Sequence, residues 1–286
     1  MGEEIKMNKK RLTLILTIVC LLLLMSGCST SSELIYLETG IHDMVKDGIF
    51  AVALTYPLAQ AINYLSQYIG VFWAVTIVTV VLNAIIIALT FKSNVAMQRM
   101  QEIQPEVQRI QLKYEGRSDQ ASQQRMANEL QMLYKKNDVN PMGSLIVTFI
   151  QLPVLISMYS AVRRSAAVAN GTFLGASLAL TPREAIAQGS WIIVVIYIMM
   201  IVMQFVSISI PKWLQEYRGR KEAEKRHKTY EKPATQNAMM MYSMVAFIAI
   251  IMLSWPAALS LYYCIYSIVN IAKTVIIDQL MQKDKE

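Results

Sequence analysis

Asn83 interrupts VTVVLNAIIIALTF (78–91), an otherwise greasy run. An unpaired amide in hydrocarbon costs about 2–7 kcal/mol, so this side chain needs a partner, water or a task. Thr76 and Thr79, seven and four residues earlier, share its helical face. Further apolar runs carry polar residues at similar spacings: Thr148 with Gln151, Tyr197 with Gln204 and Ser207, and Tyr263 with Tyr266, Ser267 and Asn270. The chemistry available to such stripes is hydrogen bonding to a polar chain or to water. They either line a shared hydrated cavity or tie helices together at about 0.6–2 kcal/mol per bond. Their recurrence in four apolar runs favours the cavity.

Other chemistries lack their residues. The chain has two histidines, His42 and His227, and no arrangement of Ser, His and Asp, glycine-rich phosphate loop or intramembrane acid pair. The expectation is therefore a protein that is not an enzyme and uses no cofactor or metal. Lys273 and Asp278 fall near the end of the last apolar run and are expected to reach the membrane interface, which argues against an ion relay.

Positioning such stripes requires membrane-spanning helices. Of 286 residues, 55% are apolar and 16% charged, too greasy for an ordinary soluble domain. Spans are expected near 62–91, 143–164, 190–210, 238–256 and 258–280, each about as long as a bilayer core requires. Trp255-Pro256-Ala257-Ala258 divides the last two, because proline disfavours helix in the residue before it. The net charge of +7 resides in loops. Segments 92–140 and 211–236 each hold eight Lys or Arg, against three across 163–189, so the basic segments are expected inside. Topology thus explains the basicity without nucleic acid.

The N-terminus reads as a signal peptide over 1–27: Lys6, Lys9, Lys10 and Arg11, an apolar run, then Ser26-Gly27-Cys28. This ending is similar to a bacterial lipobox and makes Cys28 a lipidated first residue outside the membrane. Residues 28–61 are expected to form an external segment with an amphipathic helix, interrupted at Pro57. Within 92–140, apolar residues at 103, 107 and 110 and at 126, 130 and 133 predict a helical hairpin projecting into the cytoplasm. A cytoplasmic tail of 281–286 closes the chain. Nineteen methionines, with Met239, Met240, Met241 and Met244 clustered, suit either soft packing or variable apolar partners.

YPLAQAINYL, MQRMQEIQPEVQRIQLKY, LYKKNDVNPMGS with FIQLPVLISMYSAV, and WPAALSLYYCIYSIVN occur in that order over most of 55–280. Together they resemble the YidC/Oxa/Alb membrane protein insertases in their five-span Gram-positive lipoprotein form. The resemblance implies an all-α plasma-membrane protein with its mature N-terminus outside and its C-terminus inside. It also implies a hydrophilic groove open to cytoplasm and lipid, with Thr76, Thr79, Asn83, Gln151, Gln204, Ser207, Tyr263 and Asn270 as the groove residues. The hairpin, with Met97, Met100, Met126 and Met132, is implied to capture substrate first. Newly made membrane proteins and lipid are the implied partners, with the Sec translocon and ribosome beside them. Ribosome contact would fall to the hairpin or to RGRKEAEKRHK (218–228), which by composition is a solvated basic loop.

One position departs from the resemblance. Family members usually carry an arginine in a T-x-x-x-R context where this chain has Thr79 and Asn83. An amide keeps the groove wet but cannot attract an acidic tail by charge. The expectation is a protein less dependent on acidic tails. From another functional class, an assembly scaffold without insertion activity fits the same stripes. A solute transporter fits less well, since no internal repeat with broken half-helices is visible.

Overall fold

A computed structural model describes residues 33–49, 51–117, 119–137, 139, 141–225, 227 and 236–283. The expected signal peptide, Cys28, the loop residues 228–235 and the last three tail residues lie outside the described residues, as do the side chains of Thr148 and Met239–Met241.

Among the described residues the architecture is helical, with one two-stranded antiparallel ribbon. After a 3-10 turn at Ile41–Asp47 and a π turn at Ala51–Thr55, α1 runs from Tyr56 to Glu102. At 47 residues it is about 70 Å long, more than twice a bilayer core. Pro57 sits in its first turn, where the missing N–H is harmless, so the proline starts this helix rather than interrupting one. Gly70 bends it, with φ of 77° that a side chain would disfavour. A helical hairpin follows, made of α2 (Gln104–Lys113) and α3 (Gln120–Lys136). Asp119 caps α3 by accepting the Ser122 N–H at 2.8 Å.

Helix α4 (Pro141–Arg164) leads to the short α5 (Ala166–Asn170), the ribbon β1–β2 (Thr172–Phe173 with Ala176–Ser177) and α6 (Pro182–Gln188). Thr181 and Glu184 form a reciprocal capping box at the start of α6. Helices α7 (Trp191–Lys225), α8 (Gln236–Met252) and α9 (Ala257–Lys283) complete the chain. Among the described residues, three helical stretches are long and apolar enough to cross a membrane: Ala51–Glu102, Trp191–Lys225 and Ala257–Lys283.

The main packing interfaces join α4 to α1, α1 to α9 and α9 to α7, with α8 on the flank of α7. Among the described residues α4 and α7 share no comparable interface, so the helices form an open arc with α1 and α9 in the middle. The core includes Val75, Val78, Met158, Ile193, Met200, Leu259 and Tyr262. At the end of α4 opposite the hairpin, residues 33–47 are fastened to the bundle. Arg164, 3% exposed, donates to Asp47 at 2.8 Å and to the Glu33 carbonyl at 3.0 Å. Asn63 donates to the Ile35 carbonyl at 2.6 Å and accepts from Ser165 Oγ at 2.7 Å and from the Ala167 N–H at 3.0 Å.

Candidate functional site

The polar residues of α1 recur on one face because successive steps of three or four residues return to the same side of a helix. Thr79 and Asn83 are 0% and 3% exposed, and Thr76 is half-buried. Their hydrogen bonds stay within the helix. Thr76 donates to the Phe72 carbonyl, Thr79 to that of Val75 and Asn83 Nδ2 to that of Thr79, at 2.8, 2.7 and 2.8 Å. Among the described residues no hydrogen bond joins this part of the stripe to another helix. The amide thus avoids the full cost of burial without bracing a neighbour.

The other stripe residues behave differently. Ser267 Oγ on α9 donates to Gln204 Oε1 on α7 at 2.7 Å, and Asn270 Nδ2 donates to Ser207 Oγ at 2.9 Å. These bonds brace the α7–α9 seam and bring Gln204, Ser207 and Asn270 together. Tyr263 is half-buried on α9, its ring edge-on to those of Tyr262 and Tyr266. Gln151 on α4 is half-buried as well. Among the described residues, the buried hydroxyls of Ser209 and Ser260 have no hydrogen-bond partner.

Below Asn83 the polar face continues through Thr90, Asn94 and Gln98, each buried, to Glu102. Sequence reasoning stopped at residue 91, where the apolar run ends. The four-residue recurrence at 90, 94, 98 and 102 is the signal that extends the stripe through that boundary. Asn94 Nδ2 donates to Thr90, and its Oδ1 accepts from Lys273 Nζ at 3.1 Å. Gln98 donates to Asp278 at 3.2 Å and to the Thr274 carbonyl at 3.3 Å. Arg218, from the basic run on α7, pairs with Asp278 at 2.7 Å and also with Glu102. Lys273 and Asp278 therefore turn into the bundle rather than out to the interface.

On the hairpin, Ile103, Val107, Leu133 and Val139 pack together, with Met100 against them. Met97 is half-buried on α1 and Met132 is exposed on α3. Met126 lines a cavity of about 490 Å³ at the hairpin tip with Leu112, Tyr114, Gly116, Arg117 and Gln123. Hydrogen bonds from Lys113 and Tyr114 hold the Glu129 carboxyl below the ordinary carboxylate range, and the same contact raises Lys113.

A family model described as 60Kd inner membrane protein matches residues 64–285. The membrane protein insertase YidC 2 of Bacillus anthracis is 28% identical over 271 residues, 94% of each chain. Membrane protein insertase MisCA of Bacillus subtilis (strain 168) is also 28% identical over 271 residues, 94% of this chain and 92% of that protein. A shorter match to the membrane protein insertase YidC of Bifidobacterium longum reaches 44% identity over 105 residues, 36% of this chain and 31% of that one. Since a single family model covers most of the chain and long relatives share its length, the chain belongs to the 60Kd inner membrane protein family, with the YidC and MisCA membrane protein insertases of Gram-positive bacteria.

Proposed function

We propose that this protein inserts small membrane proteins into the plasma membrane, alone or beside the Sec translocon, using the polar face of α1 as the wall of a hydrophilic groove. The observation that carries this reading is the buried polar face from Thr79 and Asn83 down through Thr90 and Asn94 to Gln98. Its amides and hydroxyls bond mainly to their own helix above Asn94, which keeps them polar without committing them to a neighbouring helix. The open arc of helices supports the same reading, because it leaves one side of that face without a packed α4–α7 interface.

In this scheme the hairpin meets the incoming chain, the polar flank of the substrate enters along α1, and its apolar segment moves into lipid. Burying the apolar segment is favourable, and the groove lowers the desolvation cost of the flank. Helices α1, α4, α7, α8 and α9 serve as five spans, with the lipidated Cys28 outside and the C-terminus inside.

The test is insertion of a single-span protein with a short external tail into proteoliposomes. We expect the natural chain to insert it, Asn83→Leu to slow insertion and Asn83→Arg to match or exceed the natural chain. Equal insertion by all three removes Asn83 from the groove. No insertion by any of them replaces insertion with the assembly-scaffold role.

A further inference from the structure

Asn83 leaves the middle of the polar face uncharged, yet the face does not lack a cation. Lys273 on α9 is half-buried and reaches across to α1, where Nζ donates to Asn94 Oδ1. Asn94 itself is 2% exposed, so the ammonium is drawn into the α1–α9 seam rather than out to lipid headgroups. The amide is oriented for this contact. Asn94 Nδ2 donates to Thr90 Oγ1 at 2.8 Å, and Thr90 Oγ1 donates to the Ile86 carbonyl at 2.6 Å. Every donor in this chain points the same way, and each bond polarises the next, which strengthens Asn94 Oδ1 as an acceptor.

An ammonium has three donors, and the one bond Lys273 makes among the described residues is to a neutral oxygen. Its nearest carboxylate in sequence, Asp278, is held by Arg218, Gln98 and Gln282. Arg218 is in turn shared between Asp278 and Glu102. Lys273 is thus a cation on the polar face with no ion-pair partner among the described residues and with donors to spare. Asn94 lies eleven residues beyond Asn83, about 16 Å along α1 toward the cytoplasmic hairpin. The cation stands at the inner mouth of the face.

We propose that Lys273, presented by Asn94, binds carboxylates of acidic polypeptide segments entering from the cytoplasm and sets the charge preference that Asn83 cannot. This rests on the insertion reading and names its substrate class: flanks bearing Asp or Glu. Acid selectivity moves from the middle of the groove to its mouth.

The experiment uses the full-length protein in proteoliposomes and a single-span substrate in two forms, with an acidic tail or with the same tail carrying Asn and Gln. Lys273→Gln is expected to slow insertion of the acidic form about tenfold, since hydrogen bonds to charged groups are the stronger kind, and to leave the neutral form within about twofold. Lys273→Arg restores the acidic form. Carbodiimide, which couples a carboxylate to an amine only in direct contact, is expected to join the tail to Lys273 of the natural chain, giving a readout independent of any variant's folding. Equal slowing of both tails, no change in either, absence of the coupled product, or slowing that follows the anionic lipid content instead of tail charge each overturns the proposal. The last result assigns Lys273 to a lipid phosphate. If the natural chain inserts the neutral tail, the insertion reading stands whatever happens at Lys273; if it inserts neither, that reading falls and this proposal falls with it.

Discussion

Replacing Asn63 by alanine should release the N-terminal segment from the bundle while leaving the membrane core folded. Asn63 is 4% exposed and joins three stretches of chain. Its loss affects them unequally. The Ile35 carbonyl keeps a bond from the Ala166 N–H at 3.1 Å, so little is lost there. The Ser165 hydroxyl and the Ala167 N–H both lose their acceptor, Asn63 Oδ1. A buried hydroxyl and a part-buried N–H at about 1–3 kcal/mol each give a cost of about 4 kcal/mol. Because Ile35 is bridged to Ser165, lifting 33–47 off the bundle lets water reach both stranded donors, so the cost appears as about a thousandfold more frequent opening, which hydrogen exchange of the amides in 33–47 measures directly in detergent micelles. Asn63→Asp separates the two sides of the site. It keeps the acceptor for Ser165 and Ala167 but sets a carboxylate oxygen against the Ile35 carbonyl, so exchange should rise at 33–36 more than at 165–168. If the alanine variant raises exchange in 33–47 less than tenfold, Asn63 does not hold this segment and the argument fails.

Other outcomes follow from the same bookkeeping of partners. Asn83→Leu should leave the melting temperature in detergent unchanged or raised, because among the described residues the amide bonds to its own helix; a clear fall would reveal a bracing role. Ser207→Ala, by contrast, should destabilise by about 0.6–2 kcal/mol in the same melt through its bond to Asn270. Arg218→Met should cost about 2–3 kcal/mol, since it removes the one guanidinium that pairs with both Asp278 on α9 and Glu102 on α1, and Arg218→Lys should recover only part, lacking the fork that reaches both. The hairpin should loosen in acid. The Glu129 carboxyl is held low by Lys113 and Tyr114, so its contribution is full above the unfolded carboxylate pKa of about 4.3 and is lost as pH falls through the lower folded value. Hydrogen exchange of 104–136 in the natural chain should therefore rise on acidification, and Glu129→Gln should flatten that response.

What the sequence revealed and what it hid divide along the range of the interactions. Apolar runs, the Trp255-Pro256 break and the hairpin periodicity are local signals, and helices stand at each of them. The polar face was visible as far as Asn83, but composition changes at residue 91 while the helix does not, so its continuation through Asn94 and Gln98 was hidden by a boundary drawn from hydropathy. The partners of Lys273 and Asp278 depend on how α9 is rotated against α1 and α7. A snorkelling lysine and one turned inward have the same sequence. The Asn63 and Arg164 contacts join residues 28 to 131 positions apart, beyond the reach of any local pattern.

The single bend in α1 makes the rest of that helix a lever. From Gly70 to Glu102 the arm is about 48 Å, so a swing of only 5° about the glycine carries its tip roughly 4 Å sideways. That is farther than the Arg218–Glu102 pair can stretch, yet at the level of Asn83 the same swing amounts to about 2 Å. The ion pairs at the tip therefore act as a latch on the angle of the arm. A load on the hairpin therefore acts at the end with the greatest mechanical advantage, and the displacement it causes dwindles along the polar face toward Gly70.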